Sequence, residues 1–188
     1  MIGKGNIRCR FVAIVSLPLL AACGDVEPDQ PEIATTEDGS LTLAAALGTN
    51  DDLGRLQQAL AQSELSGVFD GPASYTVLAP TDMAFEDLRT DGTALLEEDQ
   101  RPILVAILRD HLLPGHVTPE GIEEAIRTQG GPVTMTTLGE TDVVFAKSGD
   151  TITVEMGGAA RATLSGTAIA ADNGVVIPID SVLLPPKG

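Results

Sequence analysis

The chain has 188 residues, 11 of them basic and 27 acidic, which gives a net charge of −16 at neutral pH. A charge of that sign repels nucleic acid and anionic head groups, and no basic stripe reverses it locally, so no nucleic-acid partner is expected. One tyrosine, four phenylalanines and no tryptophan leave little for an aromatic-lined pocket, so the core must rest on aliphatic side chains.

The first 22 residues read as targeting sequence. Lys4, Arg8 and Arg10 form a positive head, and Phe11 to Ala22 is an apolar stretch of 12 residues. That is short of the roughly 20 needed to span a bilayer but fits a secretory signal. It ends in Leu20-Ala21-Ala22-Cys23, similar to the bacterial lipobox, which implies a lipid on Cys23 as the first mature residue. Cleavage there removes three positive charges, lowers the net charge to −19, and takes away Cys9. One thiol remains, so no internal disulfide is available. The lipoprotein modification supplies more than one acyl chain, as stable anchoring requires. The membrane is thus an expected partner and the cell envelope the expected location: the outer membrane or periplasmic face in a double-membraned cell, otherwise the cell surface.

Residues 23–40 read as an acidic tether. Asp25, Glu27, Asp29, Glu32, Glu37 and Asp38 occur with no basic residue and two prolines. Such a segment buries too little surface to order itself, and its random-coil reach is on the order of 20–25 Å. Residues 41–187 then form a single domain, long enough to bury a core.

Within that domain, Leu41–Leu47 and Leu53–Leu65 read as helices, the second with Asn50 and Asp51 available as caps. Tyr75–Ala79 is a short apolar run that favours a buried strand. Pro80 stops its ladder, and Thr81 or Asp82 can cap a short helix through Leu88. Asp99–Leu113 reads as a longer helix with Pro102 in its first turn and a stripe of Leu104, Ile107, Leu108, His111 and Leu112. Thr118 caps a polar helix over Pro119–Arg127. Beyond Gly130-Gly131 come short alternating runs, Val133–Leu138, Asp142–Lys147, Thr151–Met156 and Ala162–Ala170, which read as an antiparallel sheet. Asn173-Gly174 is a turn signal of the positive-φ kind. The apolar run Val175–Leu184 behind it reads as a strand buried on both faces. Pro178 inside that run implies an edge position or a bulge, and hence an interruption. Helices first and strands later argue for an α+β class.

Two of these segments, YTVLAPTDMAFEDL (Tyr75–Leu88) and DNGVVIPIDSVLLPP (Asp172–Pro186), resemble the two signature boxes of the fasciclin domain. The resemblance covers almost all of residues 41–187. It implies the fasciclin wedge, an antiparallel β-sandwich flanked by helices, and an adhesive role outside the cytoplasm. The chain departs from the family at Ile177-Pro178, where a His-Val pair is common. A third segment, LRDHLLPGHVT (Leu108–Thr118), is similar to the family landmark that carries a Tyr-His pair. Here the histidine is His111 and the tyrosine position holds Asp110. Since family adhesion is linked to that pair, Asp110 and His111 are the candidate interaction residues. The place of His111 on the apolar stripe also suits a neutral, hydrogen-bonded core histidine.

No catalytic motif is present. Ser165 lies in Thr-Leu-Ser-Gly, which lacks the first glycine of a nucleophile elbow, and neither a metalloprotease motif, a P-loop nor a dinucleotide fingerprint occurs. Adjacent carboxylates such as Asp51-Asp52 and Glu123-Glu124 point apart. No catalytic residue, metal ligand or cofactor is therefore assigned. The expectation is a lipid-anchored, non-catalytic module for adhesion, whose partner is an envelope or matrix protein or a polysaccharide. The alternative is a binding protein for a small apolar ligand such as a carotenoid.

Overall fold

A computed structural model describes residues 34–71, 73–89, 94–158 and 160–185. The targeting segment and Cys23 lie outside these residues. Three layers are stacked, namely helices from residues 43–63, 82–87 and 101–110, a five-stranded mixed sheet, and a four-stranded antiparallel sheet, while the helix Pro119–Gln129 packs against the second sheet. The first sheet contains β1 (Thr35–Glu37), β2 (Tyr75–Pro80), β3 (Leu112–Pro114), β8 (Ala168–Ala171) and β9 (Gly174–Ile179), in the order β1-β8-β9-β2-β3. The second contains β4 (Val133–Thr136), β5 (Asp142–Ser148), β6 (Thr151–Met156) and β7 (Ala160–Thr163), paired in chain order. The helices are α1 (Leu43–Gly48), α2 (Gly54–Ser63), α3 (Asp82–Asp87), α4 (Arg101–Asp110) and α5 (Pro119–Gln129).

The α+β class expected from the sequence is observed, with one refinement. The first sheet is mixed, because β2 runs parallel to β9 and β1 parallel to β8. Its central strands are covered on both faces. Successive strand residues point to opposite sides, so Val77, Ala79 and Val176 pack with Leu56, Leu60, Phe85, Leu104 and Leu108 of the helical layer. Leu78, Val175, Ile177 and Ile179 pack with Val143, Phe145, Val154 and Met156 of the second sheet. Each fully buried aliphatic side chain contributes about 1.5–3 kcal/mol. Two-sided burial is why the sequence of β9 is continuously apolar instead of alternating.

Several boundaries differ from expectation. The acidic tether is not disordered throughout, since Thr35–Glu37 forms β1 in register with Ala168–Ala170. Composition speaks only of side chains; this strand is held by its backbone. The helix expected through Leu113 stops at Asp110, and Leu112–Pro114 becomes β3, antiparallel to β2. Leu112 faces the helical core and Leu113 the core between the sheets, which a helical stripe could not achieve. The run expected as one strand, Ala162–Ala170, is two: β7 ends at Thr163 and β8 begins at Ala168. Between them Gly166 turns at φ +63°, carrying the chain from one sheet to the other.

Pro178 does not interrupt β9 on its inner side, where the strand pairs with β2 from Gly174 through Ile179. Pro178 O accepts from Ser165 N at 2.9 Å, whereas Ile179 O accepts from Thr81 N on the β2 side. The proline's missing donor therefore faces outward, past the last pair with β8, Ile169↔Val176. Proline stands where one ladder has already ended. Gly174 is needed for a reason other than the positive φ expected. A Cβ there would lie 2.2 Å from Tyr75 O and 2.9 Å from a Leu43 methyl.

Candidate interaction surface

The polar residues of the sequence boxes are largely consumed in holding the layers together. Thr81 Oγ1 accepts from Ala84 N at 3.3 Å and caps α3. Its neighbour Asp82 caps a different helix: Oδ1 accepts from Arg55 N at 2.8 Å in the first turn of α2. Both residues named as alternatives are thus caps, one local and one tertiary, each satisfying a helix-end N–H. Asn173 does the same for α1. Its Oδ1 accepts from Leu43 N at 2.7 Å, while Nδ2 donates to Phe69 O at 2.7 Å. Thr76, buried in β2, accepts from Val117 N at 2.8 Å and donates to Gly115 O at 2.9 Å, pinning the turn after β3.

His111 sits inside the domain, 1% exposed. Nδ1 pairs with Ile107 O at 2.8 Å and Nε2 with Leu183 N at 3.0 Å. Since a carbonyl only accepts and a backbone N–H only donates, the ring is neutral with its proton on Nδ1. Burial pushes its pKa down, against upward pulls from the Ile107 carbonyl and the Asp110 charge. The ring ties the end of α4 to the tail of the second box. Asp110 is also inside, 8% exposed, and its Oδ1 accepts from Thr137 Oγ1 at 3.3 Å. Gly139 lies directly against that carboxylate, where a Cβ would come within 2.1 Å of Oδ1. The two candidate interaction residues are therefore adjacent but turned inward, and this fold presents neither side chain to a partner. His116, by contrast, is exposed.

The concave surface lies elsewhere. A groove of about 690 Å³ runs between β1, the α1–α2 connection and the turn before β8. Leu41, Ile169 and Pro178 line it together with Asp38, Asp51 and Asp52 and hydroxyls such as Thr36, Thr81 and Ser165. A neighbouring cavity of about 470 Å³ shares Asp52, Thr81 and Ser165 and adds Asp82, Met83, Asp87 and Asp180. Among the described residues, no lysine or arginine lines either one. Sequence reasoning missed this surface because its walls come from residues as distant as Thr36 and Pro178. A separate cleft of about 330 Å³ is largely apolar, lined by Leu95, Ile103, Ile107, Leu184 and Pro185 among others. Among the described residues no group of three or more His, Cys, Asp or Glu side chains is placed to hold a metal ion. No helix among them is long and apolar enough to cross a membrane.

The family model of the fasciclin domain matches residues 51–185. The chain belongs to the fasciclin domain family. Among its relatives is Protein sll1483 of Synechocystis sp., 31% identical over 151 residues that make up 79% of this chain and 76% of that protein. The transforming growth factor-beta-induced protein ig-h3 of Sus scrofa is 28% identical over 135 residues, 72% of this chain but 18% of that protein. Among solved structures, a FAS1 domain pair from the insect cell adhesion molecule fasciclin I superposes with a TM-score of 0.67 at 15% identity, over 77% of this chain and 51% of that one. That likeness shows the fold. In this fasciclin domain the two boxes meet as β2 and β9, and their polar residues are caps and ties, so the signature is in large part a signature of assembly.

Proposed function

We propose that this protein is a lipid-anchored, non-catalytic module of the cell envelope that acts in adhesion or protein interaction. The observation that carries the reading is membership of the fasciclin family, and the same fold occurs in an insect cell adhesion molecule. Cys23 carries the lipid, and residues 24–33 space the domain from the membrane. The contact surface is the acidic groove between β1 and the Ser165–Thr167 turn, since Asp110 and His111 face inward. An envelope or matrix protein or a polysaccharide fits there. Mass spectrometry of membrane-fraction protein should find acylated Cys23 at the N-terminus; an unmodified chain starting elsewhere refutes the anchor. The full chain should bind isolated envelope, and an Asp51→Asn/Asp52→Asn variant should bind less. Equal binding would take the groove out of the contact.

A second reading, binding of a small apolar ligand such as a carotenoid, is favoured by the apolar cleft beside Ile103, a side chain that is 52% exposed. Protein purified from its native envelope would then carry a pigment or lipid that Ile103→Asp loses.

A further inference from the structure

The N-terminal strand is asymmetric with the edge that receives it. In β1 and its flanks, Ala34, Thr36 and Glu37 are exposed, and no side chain from this segment enters either core. Its partner β8 is buried, with Ala168 0% and Ala170 6% exposed. Polar contacts alone hold the segment: Ala168 N donates to Ala34 O at 2.9 Å, Asp38 N donates to Ala170 O at 2.8 Å, and Thr35 Oγ1 donates to Glu120 Oε2 at 2.7 Å. Hydrogen bonds made against water contribute little net stability each. A segment held in this way opens locally at a fraction of the cost of unfolding the domain.

The joint to α1 is a fastened turn, since Asp38 Oδ1 accepts from both the backbone N and the hydroxyl of Ser40 and Leu41 N donates to Asp38 O at 3.0 Å, so the part that lifts is the strand ahead of it. Once β1 lifts away, β8 presents Ala168-Ile169-Ala170-Ala171, an edge with no charge and no proline to discourage pairing. The vacancy accepts an extended segment in parallel register, with a hydroxyl placed to reach Glu120. Residues Ala34–Asp38 of a second copy have that chemistry, and every copy carries them.

We propose that Ala34–Asp38 is an exchangeable strand, and that two copies of this chain associate by each docking it on the other's β8. In dilute solution the short turn keeps the strand at home through its millimolar effective concentration. Exchange becomes populated where copies are crowded together.

The test mixes two separately purified full-length chains, one carrying Thr36→Cys and the other Ile169→Cys. These positions are register partners in the groove. A short bismaleimide links position 36 to position 169 between chains only when the strand has crossed over. Peptide mapping separates this product from links through Cys9 or Cys23. The 36–169 product should appear at high protein concentration. The Ala170 hydrogen bond is the same at home and across the pair, so the ratio of exchanged to closed chains is set by concentration, and a tenfold dilution should lower the linked fraction roughly tenfold. A synthetic peptide of residues 33–40 should compete with the product on otherwise folded chains. Links confined to Cys9 and Cys23, or a 36–169 yield indifferent to the competing peptide, would overturn the proposal. None of these readouts involves an envelope or a lipid, so failure here leaves the anchoring reading standing, and the reverse.

Discussion

The two sheets of this domain are held by different means. In the second sheet, neighbouring strands in sequence are neighbours in space, and its ion pair Arg161–Glu155 is exposed at the surface. In the first, β2 and β9 come from opposite ends of the domain, and single side chains reach across the layers to backbone groups: Asp82 to α2, Asn173 to α1, His111 to Leu183. The lesson is that local pairing needs only an alternating pattern, whereas joining distant segments needs polar residues at fixed places. Those places coincide with the segments that mark the family.

The contrast is broken most severely at Gly174. Its hypothetical Cβ meets a backbone oxygen, which cannot move aside as a side chain could, so Gly174→Ala should destabilise by about 4 kcal/mol or more. Denaturant unfolding measures this; a loss under about 1 kcal/mol would mean that the β2–β9 approach is looser than described. His111→Ala comes next. It leaves both Ile107 O and Leu183 N without partners in the interior, at about 3 kcal/mol in total. A variant that unfolded like the parent would show that the tie is dispensable.

The same residue makes the domain sensitive to acid. The folded pKa of His111 lies below its unfolded value near 6.5, so the unfolded chain binds the proton more readily. The contribution of the neutral ring is complete above about pH 6.5 and is lost as pH falls from there towards the folded pKa. The difference in stability between the parent and His111→Gln should therefore shrink as pH falls below about 6.5. A difference that stayed constant there would show that the fold does not hold the ring neutral. Smaller effects remain to bracket the comparison. Asp82→Ala removes the tertiary cap of α2 and should cost about 1 kcal/mol by thermal unfolding. Arg161→Ala, which breaks an exposed pair in the second sheet, should change stability by less than about 0.5 kcal/mol. If those last two were equal, the distinction between the sheets would not be energetic.

The same division decides what could be read from the sequence. The strand Thr151–Met156 was legible to the residue because its alternation matches one buried and one half-exposed face. Caps at Thr81 and Thr118 were legible because their partners lie three residues on. β1 was not, since its residues are polar and its ordering is a backbone matter. β3 was hidden because Leu112 continues a helical stripe while actually beginning a strand. At Asn173-Gly174 the dipeptide correctly marked a junction, but the reason is crowding against Tyr75 and Leu43, which no local rule contains. The His111 stripe pointed inward correctly; that Asp110 also faces inward depends on Thr137 and Gly139, which meet it only through the hairpin that follows β4. The groove was illegible for the same cause, as a surface made of segments the chain brings together late.

That lateness has a consequence for how the protein is made. β2 pairs with β9 in a register that joins Tyr75 to Gly174, roughly a hundred residues apart along the chain. Contacts of such separation slow folding because a large loop must close before they form. During synthesis the helical layer and β2 emerge first, with the apolar face of Val77 and Ala79 lacking Val176 beside it. The domain cannot complete its central sheet until its final strand has left the ribosome. A nascent chain stalled ahead of Asp172 therefore leaves one edge of β2 without its partner, however much of its sequence has already appeared.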